Sequence, residues 1–122
     1  MKYVIMFTST PEHDAAVAPE VAQDVYGRVY QWFTDNADAI EDSGAELQPV
    51  DSATTVRHGS QGAVVVDGPF TEAREAVGGF SIIDVADLDA AIALARTWPM
   101  LELEGTSVEI RPIVTDYTQF EQ

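Results

Sequence analysis

A chain of 122 residues with 46% apolar side chains has the size and composition of one domain around one core, which excludes wholesale disorder. Its 21 acidic residues outnumber 6 basic ones and leave a net charge of −15. That balance sets aside DNA, RNA and anionic membranes as direct partners, because binding them depends on Lys and Arg displacing counterions. The absence of cysteine excludes disulfides, thiolate catalysis and zinc–thiolate centres.

Residues 3–7 form a continuous apolar run with β-branched members, which predicts a central strand covered on both faces. The run is too short for a secretory signal core, and no stretch approaches the ~20 apolar residues of a membrane span, so a cytoplasmic protein is expected. Residues 8–14, with Ser9, Thr10 and Pro11, predict a loop. Val21, Val25, Val29, Trp32, Phe33, Ala37 and Ile40 recur at spacings of three and four, which predicts a helix over 19–43. Pro19 suits its first position and Gly44 its C-terminal cap. Gly27 inside it costs ~1 kcal/mol relative to Ala, or marks a close approach of another backbone.

Residues 45–50 predict a short strand. Residues 54–57 and 63–66 are β-branched arms of a hairpin around His58-Gly59-Ser60-Gln61-Gly62. Gly78-Gly79 leads into a strand over 80–85, and Asp87 can cap a second helix by accepting from a free backbone N–H. Leu88, Ala91, Ile92, Ala95 and Trp98 would be its buried stripe, ended by Pro99. Residues 106–114 alternate as a strand with Pro112 near its end. The stretch 115–122 reads as a loose polar tail, with Tyr117 and Phe120 able to dock on a partner.

This order predicts an α+β fold over residues 1–122, a ferredoxin-like βαββαβ sheet with an inserted β-hairpin. Side chains alternate across a strand, so Tyr3, Ile5 and Phe7 face one way and Val4 and Met6 the other. Both sets are apolar, and helices can cover only one. A chain this small leaves much surface unburied. The other set is therefore expected to meet a second copy, giving a homodimeric α+β barrel.

The most distinctive segment is Asp67-Gly68-Pro69-Phe70, followed by Glu72, Arg74, Glu75, Gly78, Gly79 and Phe80. It resembles the signature of the YCII-related family in its DGPF branch. The resemblance extends through Gly44 to Leu47, Ala53 to Arg57, Asp87 to Ala91 and Val108 to Pro112, nearly the whole chain. It implies the fold above and a cleft between sheet and helices, but no assigned reaction. It also implies the His–Asp pair in a cleft that is associated with the YCII family in general. The histidine expected on the first helix is replaced by the region of Tyr26 and Tyr30, and His13 and His58 both fall in predicted loops.

On their own chemistry, Gly68 can take φ values closed to other residues and Pro69 locks its own, so the turn can aim the Asp67 carboxylate. Glu72 and Glu75, three apart, would share a face and complete a three-carboxylate cluster with Asp67. Asp67 is thus the candidate acid/base, and His58 a weaker candidate by residue type. Phe70, Glu72, Glu75 and Trp98 would line the cleft, with Arg57 or Arg74 anchoring a substrate anion. The plainer alternative has Asp67 capping the turn, Phe70 and Trp98 in the core, and Gly78-Gly79 as a close helix–sheet passage. A hard-cation site lacks any EF-hand spacing, so no metal is assigned. No phosphate loop or dinucleotide fingerprint appears, so no cofactor is expected.

The function expected is binding of an unidentified small molecule, with or without catalysis by Asp67. One rival is a regulatory protein docking on a basic partner, for which the resemblance suggests a sigma factor and the charge is suited. Another is a monooxygenase of the same superfold, by fold analogy alone. The acidity also fits a salt-adapted proteome.

Overall fold

The computed structural model describes residues 1–68 and 75–120. Its elements are β1 (Lys2–Ser9), α1 (Pro11–Ala16), α2 (Pro19–Asp35), β2 (Ile40–Glu46), β3 (Thr54–Arg57), β4 (Val64–Asp67), β5 (Ala76–Asp84), α3 (Leu88–Arg96) and β6 (Thr106–Pro112). Short 3-10 turns follow β2 (Val50–Ser52), α3 (Pro99–Glu102) and β6 (Tyr117–Phe120).

The apolar run at the N-terminus becomes β1, an inner strand of the four-stranded sheet β2-β5-β1-β6, whose neighbours are all antiparallel. This is the ferredoxin-like order, and β3–β4 forms a separate two-stranded sheet, the inserted hairpin. Register puts Ile83, Tyr3 and Pro112 in one row, Ser81, Ile5 and Ile110 in the next, and Gly79, Phe7 and Val108 in the third. The helices lie on that face. Val25 and Trp32 of α2 and Ala91 and Ala95 of α3 are buried there, and Tyr3, Ile5, Trp32, Ile83, Ala91 and Trp98 form the core. Each large apolar side chain so buried contributes about 1.5–3 kcal/mol. On the other face Val4 and Met6 pair with Ile82 and Phe80, and all four stay half-buried.

Local chemistry explains most ends. Asp87 caps α3, its carboxylate accepting from the Ala90 N–H at 2.9 Å. Pro11 and Pro19 each open a helix, where a missing N–H costs nothing. The loop expected over 8–14 therefore contains α1.

The largest departure is at the end of α2. The helix stops at Asp35, and Asn36 closes it by donating from backbone and side chain to the Trp32 carbonyl at 3.1 and 2.8 Å. Asn36 and Asp38 are weak helix formers, and Ile40 pairs with Ile83 at the sheet edge, so strand pairing wins over a longer helix. Gly44 consequently caps no helix. It sits inside β2 at φ 70°, within an irregular pairing with β5. A Cβ there would run into the Phe80 carbonyl oxygen. β5 likewise starts earlier than expected and takes in Gly78 and Gly79. Nothing lies within 4 Å of a Cβ at Gly27, so no backbone passes close there. Leu88 is exposed and outside the buried face of α3.

Candidate binding cleft

Where β1 ends and β5 begins, the sheet offers the helices very little side chain. Glu46 and Phe7 flank Gly79 in register, and Gly79 has only hydrogen there. A Cβ on it would come 2.9 Å from the Ala45 carbonyl oxygen. The space left between this bare backbone and α2 is a half-open cleft of about 1230 Å³. That is large enough for a drug-sized molecule.

Its apolar wall is aromatic. Phe7 stacks on Trp98, with ring centroids 3.9 Å apart and planes 18° from parallel. Trp32 meets Trp98 edge-on at 5.0 Å, and Phe33 meets it at 5.9 Å. The Trp32 indole N–H donates to the Thr97 hydroxyl at 2.7 Å, and that hydroxyl donates to the Leu94 carbonyl at 2.6 Å. Arg28 of α2 grips Glu102 with two bonds of 2.8 and 2.7 Å, tying down the turn that carries Met100 into the cleft. The bonds to Glu102 hold the Arg28 guanidinium above its usual range, and the Glu102 carboxyl is lowered by the same bonds.

The polar wall comes from the outer flank of α2 and the end of β2. The Tyr26 hydroxyl donates to Glu46 at 3.4 Å, a long bond. Tyr26 is raised from its ordinary value of 10.0, first by burial, then by the charge of Glu46, its hydrogen bond, and the charge of Asp14. Asp14 in turn accepts from the Ser9 hydroxyl at 2.7 Å. Tyr26, Tyr30, Asp14, Glu46 and Asp51 all line the cleft. The arrangement therefore offers a phenol that keeps its proton, an adjacent carboxylate, and a flat apolar surface.

Of the residues singled out from the sequence, Trp98 lines this cleft and is also a core residue, only 8% exposed. Gly78 and Gly79 line it too, as strand residues. Asp67 does not: it ends β4, is exposed, and pairs with Thr54, because the hairpin forms a sheet of its own. Arg57 and His58, at the tip of the same hairpin, and Glu75, just ahead of β5, are exposed and away from the cleft lining. Gly68 has φ of 110°, donates its N–H to the Ala53 carbonyl at 2.8 Å, and accepts at its own carbonyl from Thr55 at 2.7 Å. Pro69, Phe70, Glu72 and Arg74 lie outside the described residues, and with them the proposed three-carboxylate cluster. Among the described residues no group of three His, Asp or Glu side chains is placed to hold a metal ion. No helix of the described residues is long and apolar enough to cross a membrane.

Sequence reasoning passed over Phe7, Glu46 and Asp14 as site residues. The available signal was Tyr26 and Tyr30, an aromatic pair one turn apart and off the main apolar stripe of α2.

A model of the YCII-related domain matches residues 1–115. The chain belongs to the YCII-related family. An uncharacterised protein of Rhizobium meliloti (strain 1021) is 41% identical to this YCII-related protein over 69 residues, 57% of this chain and only 56% of the relative. Among solved structures, it is similar to a 5-chloro-2-hydroxyhydroquinone dehydrochlorinase from Burkholderia phenoliruptrix AC1100, in complex with 2,5-dihydroxybenzoquinone. That match has 17% identity and a TM-score of 0.49, over 89% of this chain and 91% of the neighbour.

Proposed function

We propose that this YCII-related protein binds a small, flat organic molecule in the cleft between α2 and the sheet. The observation that carries this reading is the pairing of a bare glycine backbone with the stacked Phe7–Trp98 surface, opposite a proton-retaining phenol and a carboxylate. Ligand pockets combine an apolar lining with a few placed polar groups in this way. Tyr26 would donate to the bound molecule and Glu46 would accept from it, so any acid–base step would run through this pair and not through Asp67.

The test uses the chain's two tryptophans, Trp32 and Trp98. In a Trp32→Phe protein the remaining indole sits in the cleft. Titration with a neutral flat compound, naphthylmethanol, should shift or quench its emission with a saturable curve. Gly79→Val, which fills the cleft, should abolish that response. A response unchanged in folded Gly79→Val would refute the cleft as the binding site.

We also propose that the second sheet face is covered by another copy of the chain, because Val4, Met6, Phe80 and Ile82 together form a half-buried apolar patch on the face opposite the row of Tyr3, Ile5 and Phe7. Light scattering at micromolar protein should report twice the chain mass, and Met6→Asp should halve it.

A further inference from the structure

We infer that the molecule bound in the cleft carries a positive charge: an organic cation, an amine or amidine on an aromatic body. The inference rests on the cleft being the binding site and names the class of ligand that it selects.

Every charged side chain among the described lining residues is acidic: Asp14, Glu46 and Asp51. None of the three joins an ion pair among the described residues. Among the described residues, Lys2 pairs with Glu41, Arg28 with Asp24 and Glu102, and Arg111 with Glu109, and neither Arg57 nor Arg96 lines the cleft. The negative field inside the cleft already acts on one neighbour, since the charges of Glu46 and Asp14 both oppose ionisation of Tyr26. An anion entering there would meet the same opposition. A cation would gain from it. The exposed rings of Tyr26 and Tyr30 on the cleft wall add to the preference, because aromatic faces attract ammonium and guanidinium groups. Beyond the cleft, the net charge of −15 raises the local concentration of cations and speeds their arrival. The arrangement runs against the anion-anchoring role expected of Arg57, which stands exposed on the hairpin and away from the cleft.

Three compounds with one ring system separate the possibilities: naphthylmethylamine (cationic at neutral pH), naphthylmethanol (neutral) and naphthoate (anionic). Binding to the intact protein is measured by calorimetry, and located by the amide resonance of Gly79 and the indole N–H of Trp98. The cation should bind at least tenfold more tightly than the alcohol, and naphthoate most weakly. Glu46→Gln together with Asp51→Asn should shrink the cation's advantage over the alcohol several-fold, since a changed hydrogen bond at position 46 acts on both compounds while the lost charge acts on the cation alone. Raising salt should shrink it too. Equal affinities, or tighter binding of naphthoate, would overturn the charge preference and leave the cleft itself standing. Cation-induced shifts scattered over the acidic surface, with Gly79 and Trp98 unmoved, would also overturn it. Failure of all three compounds to reach the cleft would instead remove the binding site on which the inference rests.

Discussion

The hairpin and the cleft are built on opposite terms. The hairpin β3–β4 ends in the most recognisable stretch of the sequence, yet among the described residues its strands pair only with each other, and its valines are exposed, Val56 at 64% and Val65 at 69%. A lone two-stranded sheet is marginal in water without further packing. The cleft is assembled from unremarkable glycines and aromatics drawn from five parts of the chain, and its wall is continuous with the core. Distinctive sequence marks the family, whereas burial and register make the cavity. A carboxylate at the end of an exposed strand keeps its water, while Tyr26 at the cleft has already lost part of its own.

That contrast can be broken most forcefully at Trp98 and Val65. Trp98→Ala removes a ring that touches Phe7, Trp32 and Phe33, and should cost about 3–5 kcal/mol in urea unfolding. Val65→Ala on the hairpin should stay within about 0.5 kcal/mol. Comparable losses would mean that the hairpin is packed against something, a second copy being the first suspect.

Two of the four positive-φ glycines among the described residues, Gly44 and Gly68, give a finer comparison. Gly44→Ala and Gly68→Ala both impose a strained φ, worth about 1–3 kcal/mol. Only at Gly44 does the new methyl also meet a carbonyl oxygen, whereas nothing lies within 4 Å at Gly68. Gly44→Ala should therefore be the more damaging by at least 1 kcal/mol, and should also weaken ligand binding, since Gly44 and Phe80 border the cleft.

Ser81 offers a smaller effect of the same kind. It is fully buried and its hydroxyl donates to the Ser43 carbonyl at 2.8 Å, bracing β2 against β5 beside the cleft. Ser81→Ala should cost about 1 kcal/mol. Ser52→Ala, in the exposed turn before the hairpin, should be nearly neutral.

The smallest effect concerns pH. The Glu102 carboxyl is depressed from its ordinary 4.5 by Arg28, so its contribution is present above pH 4.5 and lost as pH falls through the folded-state value. Acid titration of thermal stability should show this component in the wild type and lack it in Glu102→Gln. Both groups are exposed, so the effect should be slight and salt-sensitive.

Much of the fold was legible because local signals agreed with the final packing. The run at 3–7, the β-branched arms expected at 54–57 and 63–66, and Asp87 before Leu88 each had one cheap structural solution, and took it within a residue. The stretch 36–46 was misleading, since Ile40 continues the helical spacing of Val25, Val29 and Trp32. Asn36 was the one local sign of the end of α2, and the pairing of Ile40 with its distant partner Ile83 made that sign decisive. The cleft was legible only in part. Trp98 and the glycine pair could be named from the sequence, but not that Gly79 would fall beside Phe7 and Glu46. That is a matter of strand register between segments about 30 and 70 residues apart. Tyr26 was noticed only as the occupant of a place where a histidine was expected.

The most direct measurement is a crystal structure of the protein grown with naphthylmethylamine. The ring should lie over Gly79 against Phe7 and Trp98, with its ammonium group turned toward Glu46. An empty cleft, with the compound held at the hairpin beside Asp67, would contradict the account.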